Sequence, residues 1–228
     1  MKKFEVRGTE NFVREGPSII VGNHVGSFKD VSLLFKIVPR QIFFTANQMI
    51  FKKEDFSFIV RKHLYRHLKN FGLFIHLILN PLYAYIVDYI SSNIAKIGTI
   101  PVNLDGGRAA ALQKCQAYLR AGRAVIALQG RGHIDSKSSN PYVIPFRHGA
   151  SAMAYNLYNE DNISVPVTPM SIFGTHKLIW IPGRIKVSVG TPMYIRDYWM
   201  NGASETIEHF RNALETRVKR LLMESLKG

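Results

Sequence analysis

Short apolar runs that end in loops are interleaved with stretches of helical period from residue 18 to residue 221. SIIVG (18–22), QIFFTA (41–46), IGTIPVN (97–103), AVIAL (124–128), ISVPVTPMSIF (163–173) and RIKVSVG (184–190) predict strands. Between them, DVSLLFKIV (30–38) predicts a helix with Asp30 near its start and Pro39 beyond its end. Ala111, Leu112, Cys115 and Leu119 fall on one face of a second helix, which begins near Gly107 and ends at Gly122. Ala150, Met153, Ala154 and Leu157 mark a third. Ile207, Phe210, Leu214, Val218 and Leu221 mark a closing one. This alternation predicts an α/β fold: a mixed, mostly parallel sheet flanked by helices, in a single domain spanning 1–228. Ligands in such folds bind in loops beyond the carboxyl ends of the strands.

Charge narrows the class of partner. The chain carries 30 Lys and Arg against 16 Asp and Glu, a net +14, and so attracts nucleic acid, a phospholipid surface or phosphorylated small molecules. No nucleic-acid-binding motif or regular aromatic–basic interleaving is present, so nucleic acid ranks last and is not an expected partner. Cys115 is the single cysteine, which excludes an intrachain disulfide or a cysteine-based metal cluster and fits a reducing, cytoplasmic setting. The opening MKKFEVRG has no apolar stretch behind its lysines, so no signal peptide is expected. FGLFIHLILNPLYAYIVDYI (71–90) is the longest apolar stretch, but it holds His76, Asn80, Pro81 and Asp88. It reads as a buried or interfacial hairpin rather than a membrane span. RKHLYRHLKN (61–70), with Lys52, Lys53 and Lys69, reads as a basic amphipathic helix. The section near 52–90 is thus an insertion suited to anionic headgroups; the competing reading is a solvated basic helix followed by an ordinary core helix. His63 and His67 lie four apart, but no third ligand accompanies them, and no metal is expected.

Two segments carry residues suited to chemistry. In GNHVGSFKD (22–30), His24 follows a predicted strand and Asp30 opens the next helix. Unperturbed imidazole titrates near pH 6.5, so it takes a proton from a hydroxyl at neutral pH. A carboxylate on the other ring nitrogen fixes the tautomer and stabilises the imidazolium. The same two residues also fit a plain loop hydrogen bond and a helix cap. In LQGRGHID, Gly130 and Gly132 flank Arg131, so backbone amides and a planar guanidinium can approach an anion. An ordinary turn fits that composition equally well. Arg147 and Arg108 are supporting basic residues, and each reads first as a plain solvated charge. Cys115 lies on an apolar helix face and reads as core. HGASAM lacks the second glycine of a serine-hydrolase elbow, and no phosphate-binding loop or dinucleotide fingerprint follows a strand.

The segment VRGTENFVREGPSIIVGNHVGSFKDVSLL resembles the opening of the glycerophospholipid acyltransferase family, of the lysophosphatidate acyltransferase type. Val6, Gly8, Glu10, Asn11, Gly16, Pro17, Asn23, His24, Ser27 and Asp30 fall in that family's order. IGTIPVN, VIALQGRGH, IPFRHGASAMA, VPVTPMSI and RIKVSVGTPM resemble its later blocks in sequence. The resemblance implies catalysis by His24 and Asp30, and substrate binding by Asn23, Ser27, Gln129, Gly130 and Arg131. It also implies acyl-CoA or acyl-carrier protein as donor, a glycerol-phosphate or lysophospholipid hydroxyl as acceptor, and no cofactor. A cytoplasmic enzyme attached peripherally to an anionic phospholipid membrane is the expected setting.

Three departures stand against the family pattern. One extra residue, Val25 or Gly26, lengthens the loop between His24 and Ser27, and Gly26 is expected to absorb it through its backbone freedom. Asn103 and Leu104 stand where an arginine is usual. Gln129 replaces a glutamate, and Arg131 comes one position early. A noncatalytic lipid- or acyl-carrier-binding protein of the same fold is the alternative these departures raise.

Overall fold

A computed structural model describes residues 3–68, 72–96, 98–102, 108–137, 139–177 and 183–227. In chain order the elements are β1 (Lys3–Arg7), β2 (Ser18–His24), α1 (Phe28–Ile37), β3 (Ile42–Asn47), α2 (Lys53–Leu68), α3 (Gly72–Asn93) and β4 (Thr99–Val102), then α4 (Arg108–Arg120), β5 (Ala124–Gly130), α5 (Gly149–Asp161), β6 (Val167–Phe173), β7 (Arg184–Val189) and α6 (Ala203–Lys227). They gather into two compact units, one of Met1–Ile42 with Cys115–Gly228, the other of Phe43–Lys114.

In the first unit the strands lie in the order β1-β7-β6-β2-β5. β1 runs parallel to β7, and β2 runs parallel to both β5 and β6. β6 and β7 are antiparallel. The sheet is therefore mixed and mostly parallel, as the alternation of runs predicts. β2 is buried from Ser18 to Asn23, which explains its unbroken apolar sequence: a strand covered on both faces has no polar side to show. α5 contributes Ala150, Met153, Ala154 and Leu157 to the core; α6 contributes Phe210, Leu214, Val218 and Leu221. Full burial of a large apolar side chain of this kind contributes ~1.5–3 kcal/mol. These are the positions the helical period singles out, except that Ile207 is half-buried and Thr206 takes the buried place beside it. In the second unit β3 pairs in parallel with β4, Phe44 facing Thr99 and Asn47 facing Val102.

The structure departs from expectation at several elements. β1 has no apolar run to announce it, because KFEVR is an edge strand with exposed ends. β2 continues two residues past the predicted SIIVG, so His24 is its last residue and does not stand in a loop. Residues 72–90 do not fold back on themselves: one helix runs through Pro81, and α2 packs against α3 instead. Among the described residues no helix is long and apolar enough to cross a membrane. On β7, Lys186 is buried with its neighbours because its ammonium donates to the Ser225 carbonyl at 2.6 Å, in the last turn of α6.

Candidate active site

β2 and β5 are parallel and end together, with His24 opposite Gly130. Parallel strands bring their carboxyl ends to one edge, so two segments more than a hundred residues apart in sequence meet there. From β2 the chain passes through Val25, Gly26 and Ser27 into α1. Asp30, in the first turn of α1, turns back onto that loop. Its Oδ2 accepts from the Val25 amide at 2.9 Å and the Gly26 amide at 2.7 Å. The same oxygen lies 2.9 Å from His24 Nδ1. Asp30 is fully buried, whereas the His24 side chain is 21% exposed. The lengthened loop therefore leaves the pair in contact.

Gly26 does not absorb the extra residue through unusual angles. The positive φ falls on Ser27, at φ 52° and ψ −130°. Gly26 is needed for space instead: a Cβ there would lie 2.4 Å from Thr175 Cβ and 2.7 Å from Asp30 Oδ1. On the opposite wall, Gly130 and Gly132 both take positive φ, 137° and 77°. The Gly132 amide donates to the His24 carbonyl at 3.2 Å. A Cβ on Gly132 would stand 3.3 Å from His24 Nε2, so glycine lets this backbone pass close to the ring.

A small open cleft of about 70 Å³ lies here, lined by His24, Gln129, Gly130, Arg131, His133 and Asp135, with Tyr142 beside them. Gln129, Gly130 and Arg131 are thus brought to the histidine, and Arg131 is exposed. The Gln129 amide is turned to the framework: Oε1 accepts from the Arg147 amide at 3.0 Å and Nε2 donates to Ala127 O at 3.3 Å. Asn23 is a correction. It is fully buried, donates to Tyr142 O and Ile172 O at 3.0 and 2.9 Å, and accepts from Ile172 N at 2.7 Å. Its amide is consumed in stitching β2 to β6 and to the segment before α5, and it does not reach the cleft. Ser27 is exposed and lies outside the cleft lining.

Sequence reasoning passed over His133, Asp135 and Tyr142. The first two lie within LQGRGHID, next to its glycines and arginine; His133 Nδ1 sits 3.2 Å from Arg131 O. Tyr142 gives no local signal, because its partners are Phe173, the last residue of β6, and His176 just beyond it, at ring distances of 5.3 and 5.5 Å. Asn103 and Leu104 lie outside the described residues, as do the side chains of His63, His67 and Arg108. Among the described residues no group of three or more His, Cys, Asp or Glu side chains could hold a metal ion.

The segment leading to α5 is pinned from α6. Arg211 donates to Phe146 O at 3.0 Å, and Glu215 accepts from Phe146 N at 2.8 Å. Glu208 pairs with Arg211 and with His148, the latter at 2.6 Å. Arg211 first and His148 second pull the Glu208 carboxyl from its ordinary 4.5 down to about 2.

The mixed, mostly parallel sheet holds a carboxylate-braced histidine at the adjoining ends of two strands, beside an exposed arginine, an arrangement able to move a proton near an anion. The sequence agrees: residues 3–173 match the family model described as Acyltransferase, and the chain belongs to that family. Its fold is shared by the crystal structure of the 1-acyl-sn-glycerophosphate (LPA) acyltransferase PlsC from Thermotoga maritima, with a TM-score of 0.57 at 20% identity, over 98% of this chain and 72% of that one. No curated protein matches the chain.

Proposed function

We propose that the protein transfers a fatty acyl group from the thioester of acyl-CoA or acyl-carrier protein to a hydroxyl of a glycerol-phosphate or lysophospholipid acceptor. The observation that carries this reading is the 2.9 Å contact between His24 Nδ1 and Asp30 Oδ2 at the wall of an open cleft. An ionised carboxylate only accepts, so the proton sits on Nδ1 and the lone pair on Nε2. Nε2 removes the acceptor's hydroxyl proton as its oxygen bonds to the thioester carbonyl carbon. The carbon–sulfur bond then breaks, and the departing thiolate takes the proton back from the imidazolium. Both substrates need only be aligned, so no acyl-enzyme forms and no cofactor enters. Arg131 and the amides around Gly130 hold the acceptor phosphate.

The second unit supports a peripheral seat for this cytoplasmic enzyme on an anionic phospholipid surface. Tyr85, Ile86 and Tyr89 are exposed on α3, and Phe58 on α2, near the exposed Lys52 and Lys53. The test of the chemistry is a panel of glycerol-phosphate and lysophospholipid acceptors with radiolabelled acyl-CoA and acyl-carrier protein. His24→Ala is expected to lower turnover by about 10³-fold or more with its unfolding transition intact. Undiminished transfer by that variant would exclude His24 as the base.

A further inference from the structure

The aspartate of the dyad is satisfied on one side only. Oδ2 receives three partners, from Val25, Gly26 and His24. Oδ1, equally cut off from solvent, has no donor upon it among the described residues. Leaving a buried polar atom unpaired costs about 1–3 kcal/mol, and more for a charged group. Thr175, just beyond β6, presents the opposite need: it is 1% exposed and its hydroxyl is likewise unpaired. The two atoms flank a single point. A Cβ on Gly26 would lie 2.4 Å from Thr175 Oγ1 and 2.7 Å from Asp30 Oδ1. They are no farther apart than two hydrogen bonds laid end to end, and Gly26 places no side chain between them. The backbone carrying Thr175 is held by its neighbour His176, whose ring packs on Tyr142 and Phe173 at 5.5 Å each.

We infer that Thr175 is a positioning residue of the dyad: its hydroxyl donates to Asp30 Oδ1, directly or through one water. This rests on His24 being the base. A carboxylate held by Oδ2 alone can swing about its Cβ–Cγ bond; a donor on Oδ1 fixes its plane, so Oδ2 stays aimed at Nδ1. Hydroxyl-to-carboxylate bonds are charge-assisted and short, and therefore suited to this restraint. Thr175 touches no substrate; it acts through Asp30.

Thr175→Val keeps the side chain's shape and removes the donor, and Thr175→Ser keeps the donor. Thr175→Val is expected to lower kcat about tenfold with KM for either substrate nearly unchanged, and Thr175→Ser to restore most of the loss. Without its second donor Asp30 concentrates more charge on Oδ2, so the acid limb of the kcat/KM profile moves to higher pH, by about half a unit. The other titratable groups lining the cleft, Arg131, His133 and Asp135, are common to all three proteins, so the comparison isolates the hydroxyl. A readout independent of turnover is the His24 Nδ1 proton resonance, assigned by its loss in His24→Gln. It should shift in Thr175→Val and return in Thr175→Ser. Should the wild type transfer no acyl group, the catalytic reading fails, and the resonance alone decides whether the hydroxyl reaches the dyad. Wild-type kcat, pH profile and resonance in Thr175→Val, whatever its melting temperature, would overturn the inference. If the valine variant does not fold, Thr175→Ala is measured by the same three readouts.

Discussion

Backbone freedom and space are supplied by different residues in the loop between His24 and Asp30. Ser27 carries the positive φ, in a region that side chains enter at a cost of about 1–3 kcal/mol. Gly26 carries the close approach, with Thr175 and Asp30 where its Cβ would stand. The two glycine exchanges therefore act in opposite directions. Ser27→Gly is expected to raise stability by roughly 1 kcal/mol, since glycine adopts that φ freely. Gly26→Ala is expected to lower it by about 1–3 kcal/mol by overpacking, and to lower turnover as well, because the added methyl meets Asp30 Oδ1. Urea unfolding midpoints read both. A stabilising Gly26→Ala beside a destabilising Ser27→Gly would show that the loop runs differently. Asn23 teaches a related point. It stands directly before the histidine and carries a reactive-looking amide, yet all three of its hydrogen bonds end on backbone, so its place in the motif is structural.

Among the elements that hold the approach to α5, β2 and β5 do so through side-chain amides and α6 does so with charge. The folded-state value of Glu208 lies below that of an unfolded carboxylate. The Arg211 and His148 pairings accordingly add stability above about pH 4.5, and that contribution disappears as the pH falls towards 2. Glu208→Gln should therefore lower the melting temperature at pH 7, with a decrement that narrows steadily below pH 4.5. Equal decrements at pH 7 and pH 3 would rule out the ion pairs as its source. The apolar stripe of this helix was readable from period alone, as was that of α5, because burial of one face imposes the spacing. β2 and β5 were readable as apolar runs, though not the added length that makes His24 a strand residue. β1 was not, since a charged edge strand has no pattern to show. Pro81 misled, because proline marks helix breaks more often than helix interiors. In the site, His24 with Asp30 and the Gln129–Arg131 stretch were legible because each lies within a few consecutive residues. Tyr142 and Thr175 were not, because a side chain's role in a parallel sheet depends on which distant strand ends beside it.

For the whole molecule, the net charge of +14 and the exposed apolar face of α3 have a joint consequence. Tyr83 and Val87 turn one side of α3 inward; Tyr85, Ile86 and Tyr89 stand exposed, with Asp88 among them paired to Lys53 at 2.6 Å. Tyr85 and Tyr89 stand one helical turn apart with their rings stacked at 6.4 Å. Two amphipathic rings at that spacing fit the headgroup region of a bilayer, where tyrosine places its ring in hydrocarbon and its hydroxyl in water. Lysines near an anionic surface each add about 1 kcal/mol, which salt screens. Binding to vesicles containing phosphatidylserine should thus exceed binding to neutral phosphatidylcholine vesicles, and the difference should shrink between 0.1 and 0.5 M salt, as roughly expected from the screening length. Tyr85→Ser combined with Tyr89→Ser should weaken binding to both kinds of vesicle by about tenfold while leaving that salt dependence in place. The two contributions are separable in this way: charge sets the difference between the lipids, and the rings set the level common to both. Wild-type vesicle binding by the double variant would remove α3 from the contact, and equal binding to the two lipids would remove the charge.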